Sequence, residues 1–339
     1  MYEEIKRLET PEKIKTELPV PPQIASARSA GVEQIKNILA GRDNRKLFIV
    51  GPCSADSFES VTEYAQKLSR VACEVRDRLF VIMRVHTVKP RTRGLGYMGM
   101  LHTPDIATGI TDIASGMEKS RKLHIAVAQT GLCTSDELLY PEFAEYIDDT
   151  VSYFTVGARS AEDQSHRFAA SAADVPVGIK NPVNGCIADI VGSVRAAKSP
   201  SDFIFRGRWV RSSGNAYAHA ILRGANGMDG NCITNYGKAF VSELLQALRA
   251  DGDDNPSVII DAGHSNSNKR AEKQPTIVSA VLEYMSRSAE LNRFVKGFMA
   301  ESYLLGGSGE AYGMSRTDAC LGFADTEAML YRAADAVKP

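Results

Sequence analysis

Residues 81–92 read VIMRVHTVKPRT. The apolar, β-branched opening is a strand pattern. Pro90 holds Lys89 in extended backbone and marks the loop that follows. The stretch is therefore a short strand that delivers three cations, Arg84, Lys89 and Arg91, at its carboxyl end. The same design recurs along the chain: Arg159 closes FTVGAR, Lys180 closes VGIK, and Arg223 follows AIL. Groups able to ligate a metal fall in comparable places, with Cys53 after FIVGP, His264 after VIIDAG, Glu301 after GFMA and Asp318 in SRTDAC. If these strands are parallel in one sheet or barrel, their carboxyl ends share one face. That face would hold a divalent metal beside a cationic pocket suited to small phosphorylated anions.

Working outward from this segment, eight strand candidates occupy 47–53, 79–85, 125–130, 153–158, 175–181, 219–224, 257–264 and 295–302. Helical patterns lie between most of them, such as 57–77, 105–123 and 275–288. Eight βα-like units without an evident linker predict a (β/α)8 TIM barrel rather than a doubly wound sheet. The extra apolar stretch SDFIFRGRWV, 201–210, breaks the alternation and predicts an added β-hairpin. Residues 1–40 read as an N-terminal arm and helix, with helical periodicity from about Ala25 to a stop at Gly41. Residues 41–339 read as the catalytic barrel.

The 339 residues carry a formal net charge of −1, so the cations are not part of a generally basic surface, and nucleic acid is not the expected partner. No apolar run reaches membrane-spanning length and the N-terminus is unlike a signal peptide, which predicts a cytoplasmic protein without a membrane partner. Six scattered cysteines without a CxxC pair read as reduced thiols. One sulfur, one nitrogen and carboxylate oxygens suit Mn, Fe, Co or Zn without selecting among them. Cys53 also has a second reading as a nucleophile, ranked below metal ligand because no base adjoins it in sequence. GGSGE at 306–310 lacks the GK[ST] of a Walker loop, and GLGYMG at 94–99 lies in a loop after the second strand candidate and reads as a mobile substrate loop.

From about Glu33 onward the chain resembles the type I 3-deoxy-D-arabino-heptulosonate 7-phosphate (DAHP) synthases. The matching blocks are IVGPCS at 49–54, EYAQKL, VIMRV, KPRT at 89–92, VGAR, Ser165-His166-Arg167, PVGIKN, ILRG, IIDAGHSNSNK at 259–269, Glu301-Ser302 and YGMSRTDACLG at 312–322. The resemblance implies a barrel with an N-terminal extension and an added hairpin, and a metal-dependent condensation of phosphoenolpyruvate with erythrose 4-phosphate at the head of the shikimate pathway. It maps metal ligands onto Cys53, His264, Glu301 and Asp318, and phosphoenolpyruvate contacts onto Arg84, Lys89, Arg159, Lys180 and Arg223. It maps the erythrose 4-phosphate loop onto Lys89, Pro90, Arg91 and Thr92. Lys89 is then the expected proton donor, with His264 sharing that role, and a homo-oligomer, dimer or tetramer, is expected.

Two departures stand out. Met98 replaces a Lys that the family usually carries in a Gly-Trp-Lys-Gly stretch. Gln129, at the end of the expected third strand, replaces a Glu. Together they would remove one positive and one negative charge near the phosphoenolpyruvate phosphate and keep the net charge of the pocket. They keep open a divergent homologue that uses the same pocket on another aldehyde or first substrate. A non-catalytic anion-binding subunit is a third reading, against which the intact ligand set argues.

Overall fold

The computed structural model describes residue 1, residues 3–91 and residues 96–337. In chain order these form α1 Pro11–Glu17, α2 Pro22–Ala40, β1 Lys46–Gly51, α3 Phe58–Glu74, β2 Leu79–Arg84, α4 Ile113–Ala128, β3 Cys133–Glu137, α5 Pro141–Ala144, β4 Tyr153–Val156, α6 Gln164–Ala172, β5 Val177–Lys180 and α7 Ile187–Lys198. There follow β6 Ser201–Phe205, β7 Arg208–Ser212, β8 His219–Leu222, β9 Ala225–Asn226, β10 Cys232–Ile233, α8 Lys238–Ala250, β11 Val258–Asp261, α9 Gln274–Ser286, α10 Ala289–Phe294, β12 Val295–Glu301 and α11 Phe323–Ala336.

Eight parallel strands close into a barrel in the order β1-β12-β11-β8-β5-β4-β3-β2. The strands are short and buried on both faces, which is why they read as continuous apolar runs rather than alternating ones. On β1, Phe48 and Val50 face the surrounding helices, and Leu47 and Ile49 face the barrel interior with Ile82, Tyr153, Ile221, Ile259 and Met299. The N-terminal segment completes this interior. Ile35, Ile38 and Leu39 of α2 are buried in the same cluster. Helix α2 thus covers the amino end of the barrel and leaves the carboxyl end for chemistry. Its start is set by Pro22, and its stop by Gly41 at φ 75, a left-handed conformation that favours glycine.

The added hairpin forms as predicted. Strands β6 and β7 pair antiparallel through Arg206 and Gly207, both at positive φ, the twist that two-residue hairpin turns prefer.

The third strand corrects the sequence reading. Residues 125–130 are not a strand: Ile125 to Ala128 end α4, and Gln129 is its C-cap. A short apolar run cannot be assigned by periodicity alone. Extended over the whole segment, the buried positions Met117, Ser120, Arg121, Leu123, His124 and Val127 follow a helical period, and Asp112 caps the start by accepting from Ser115 N at 3.1 Å. Burying Leu123 and Val127 contributes about 1.5–3 kcal/mol each. The true third strand is CTSDE, and its last residue is Glu137. Its polar side chains are buried because distant partners satisfy them. Asp136 accepts from Thr87 N at 3.1 Å, from Thr87 Oγ1 at 2.7 Å and from its own neighbour Glu137 N at 2.7 Å, and lies 3.1 Å from His124 Nε2.

Candidate active site

The barrel brings the predicted residues to one end. Arg84, Lys180 and Glu301 are the last residues of β2, β5 and β12. Cys53, Lys89, Arg159, Arg223 and His264 lie one to five residues beyond β1, β2, β4, β8 and β11. Asp318 reaches the same place from the loop before α11. Pro90 and Arg91 follow Lys89 and are half-buried, whereas Thr92 lies outside the described residues.

Cys53 Sγ, a Glu301 oxygen and an Asp318 oxygen lie within 4.8 Å of one another. Ligands about 2.0–2.3 Å from one ion stand at most roughly 4.6 Å apart, so the spacing suits one divalent metal. His264 is not within that mutual distance of all three; its Nε2 is 3.7 Å from Glu301 Oε1. The His264 backbone sits at φ 52, and its Nδ1 is 2.9 Å from the buried Asp261 carboxylate. The contact turns Nε2, the nitrogen that would ligate a metal, toward Glu301. Burial alone would raise Glu301, but His264, Arg84 and Lys89 outweigh it and hold the carboxyl at about 2, ionised and able to ligate. Gln274 fixes its backbone through Nε2 to Glu301 O at 2.9 Å and Glu301 N to Oε1 at 2.8 Å. Burial pushes the Cys53 thiol up, with Glu301 adding to the effect, so a thiolate there needs a cation beside it.

Beside this group stand the cations. Arg84 is fully buried and donates Nη2 to Glu301 Oε1 at 3.0 Å, yet its Nε and Nη1 have no partner among the described residues. Lys180 is buried, and no hydrogen-bond acceptor for its ammonium is found among the described residues. Burial lowers its affinity for a proton, opposed by Glu137 and Asp261. Arg223 is lowered by burial, opposed by Asp261 and reinforced by Arg159, which places the two guanidiniums in one field. Lys89 donates Nζ to Cys53 O at 2.6 Å and to Cys53 Sγ at 3.3 Å. Burial would lower it, but Cys53, Glu301 and Glu137 prevail and hold the ammonium above its ordinary value. Buried donors without acceptors are costly, and a polyanionic ligand would satisfy them together.

Sequence reasoning missed the frame around these groups. Glu137 Oε2 is 3.9 Å from His86 Nδ1, and burial, then Arg84, Lys89 and Lys180, keep His86 neutral. Asn181 Oδ1 accepts from Arg223 N at 2.8 Å, and Asn266 Nδ2 donates to Leu222 O at 3.0 Å, tying the ends of β5, β8 and β11 together. The only sequence signal for them is their place one or a few residues after a strand. A cavity of about 850 Å3, between α5, α6 and the β6–β7 hairpin, contains none of the site residues.

The DAHP synthetase I family profile matches residues 19–330. The chain belongs to this family. The Tyr-sensitive phospho-2-dehydro-3-deoxyheptonate aldolase of Escherichia coli K12 is 34% identical over 336 residues, covering 95% of this chain and 91% of that one. The Phe-sensitive enzyme of the same organism is 34% identical over 347 residues, covering 99% and 96%. The solved structure of phospho-2-dehydro-3-deoxyheptonate aldolase from Francisella tularensis SCHU S4 superposes with a TM-score of 0.92 at 30% identity, covering 99% of this chain and 98% of that one.

Against the DAHP synthetase I pattern, one of the two expected departures disappears. Gln129 is a helix cap remote from the end of the third strand, and that end carries Glu137, the expected acid. The expected loss of a negative charge does not occur, so the substitution at Met98 has no compensating partner. Met98 O accepts from Lys89 N at 3.0 Å, and the neighbouring Tyr97 donates its hydroxyl to Ala55 O at 3.0 Å. Gly99, at φ 97, lets this loop lie on the β2 extension: a Cβ there would fall 2.4 Å from Thr87 O.

Proposed function

We propose that the protein condenses phosphoenolpyruvate with erythrose 4-phosphate to give DAHP and phosphate, the first step of aromatic biosynthesis. The observation that carries this reading is the set of buried cationic donors without acceptors among the described residues, Arg84 Nε and Nη1 and the Lys180 ammonium, beside the Cys53–Glu301–Asp318 group. In this reading Arg84 and Lys180 hold the carboxylate of phosphoenolpyruvate, and Arg159 and Arg223 its phosphate. Lys89 to Thr92 take the aldehyde substrate. C3 of phosphoenolpyruvate attacks the aldehyde carbon, water adds at C2, and phosphate leaves from C2. Lys89, kept charged by its neighbours, donates a proton to the new alkoxide, with His264 able to share that role. A divalent ion held by Cys53, His264, Glu301 and Asp318, of the class Mn, Fe, Co or Zn, supplies Lewis acidity at the aldehyde oxygen when bound. Residues 1–40 act as arm and cover, residues 41–339 as the catalytic barrel. The protein works in the cytoplasm as a homo-oligomer, without nucleic-acid or membrane partners. No helix among the described residues is long and apolar enough to cross a membrane.

One observation favours a second reading. With Glu137 retained, Met98 leaves the pocket one positive charge short of the family pattern, which fits a related aldehyde or first substrate. Metal-reconstituted protein given phosphoenolpyruvate and erythrose 4-phosphate distinguishes the two. Phosphate release matched by the seven-carbon product supports the first, and a metal-loaded protein without turnover supports the second.

A further inference from the structure

A second concentration of cations lies at the opposite end of the barrel. Lys46 is the first residue of β1 and Lys296 the second of β12. They precede the paired residues Leu47 and Gly297, so they stand side by side on adjacent parallel strands. Each stands two residues before one that faces the helices, Phe48 on β1 and Phe298 on β12, and so lies on the same face of its strand. Lys46 is 5% exposed and Lys296 2% exposed. They line a cavity of about 310 Å3 with Ile38, Gly41, Asn292 and Arg293 among its other walls.

The charges here do not balance. Asp43, the acidic residue lining the cavity, is taken by Arg45, whose Nη2 donates to Oδ2 at 2.6 Å. Lys46 donates to Val295 O at 3.0 Å and to Asn292 O, which leaves one of its three N–H groups without an acceptor among the described residues. Among the described residues the Lys296 ammonium has no hydrogen-bond acceptor and no ion-pair partner. Arg293 is exposed, lines the cavity and stacks its guanidinium on Phe294 at 5.1 Å. Two adjacent buried ammonium groups facing a cavity repel each other and lose hydration, an arrangement that a bound anion relieves. Burial, then each lysine's cationic neighbour, moves Lys46 down to about 7 and Lys296 to about 8, the direction expected of a site lacking its counter-ion.

We propose that this basal cavity is an anion site, separate from the catalytic face, that binds a small phosphate-bearing dianion between Lys46, Lys296 and Arg293. The volume admits free phosphate or a phosphorylated metabolite of a few carbons. The amino end of a TIM barrel is its stability face, so occupancy is expected to act on stability rather than on turnover.

The test is thermal unfolding of the full chain, titrated with inorganic phosphate at constant ionic strength. Phosphate also stabilises proteins non-specifically and would bind the catalytic cations, so the readout is the difference between variants. At a phosphate concentration ten times its Kd, the basal site adds about 2 °C to Tm. Arg223→Met, on the catalytic face, keeps that increment. Lys296→Met loses it, and Arg293→Ala, an exposed change that does not threaten folding, reduces it. Titration with a three-carbon phosphate monoester separates the two sources: a larger increment than that of phosphate assigns the site to a metabolite, a smaller one to the free ion. Phosphate increments in Lys296→Met and Arg293→Ala equal to wild type would overturn the proposal. If Lys296→Met does not fold, Arg293→Ala decides alone.

Discussion

Lys180→Met separates an anion-binding role from a structural one, because the two make opposite predictions. The ammonium is buried at the end of β5, without an acceptor among the described residues, and burial already disfavours its charge. Methionine keeps the length and apolar stem and removes a charge that breaks no protein hydrogen bond when it goes. The free protein should therefore unfold at the same temperature as wild type or slightly higher. The complex behaves otherwise. A charge-assisted hydrogen bond to a substrate carboxylate contributes about 1.5–3 kcal/mol, so its loss lowers kcat/KM for phosphoenolpyruvate roughly 10- to 150-fold. The assays are steady-state kinetics with phosphoenolpyruvate varied and thermal unfolding with and without that substrate. A stable variant with weakened substrate binding is expected. A destabilised variant with an unchanged KM would refute the reasoning and return Lys180 to a structural role.

Three further outcomes are expected. Chelation abolishes activity and a divalent ion restores it, and Asp318→Asn, the exposed ligand, weakens metal affinity at least about tenfold without unfolding the chain, as read by metal titration. Met98→Lys, with Glu137 already in place, lowers KM for phosphoenolpyruvate about fivefold, the effect of roughly 1 kcal/mol from one partly exposed cation; an unchanged KM would place Met98 outside the substrate field. Lys296→Met stabilises the protein in chloride buffer in a pH-dependent way. A lysine lowered in the folded state opposes folding fully below its folded value and not at all above its unfolded one, so the gain is full below about pH 8 and fades toward pH 10.5. Denaturation midpoints across that range check the sign.

The barrel was legible where the middles of the strands bury apolar side chains. The runs LFIVG, LFVIM and GFMA need no partner beyond the core, and their composition announces them. The hairpin was legible because its apolar run broke the alternation. The third strand was not, since CTSDE owes its burial to Thr87 and His124, dozens of residues upstream or on a neighbouring helix, and nothing local marks it. The same displacement hid Glu137 and made Gln129 look like a lost acid. Arg84, Lys89 and Lys180 could be found because a charged residue that ends an apolar strand is conspicuous. Asn181, Gln274 and Asp261, which hold the site in shape through backbone bonds or a short contact, look like any loop or helix polar residue until the chain is folded.

The most direct test of the account is the product of the metal-reconstituted protein supplied with phosphoenolpyruvate and erythrose 4-phosphate. Equal amounts of inorganic phosphate and a seven-carbon 2-keto acid phosphate, identified by mass, are predicted. Protein that retains its metal and binds phosphoenolpyruvate yet forms no such product would contradict the proposed activity.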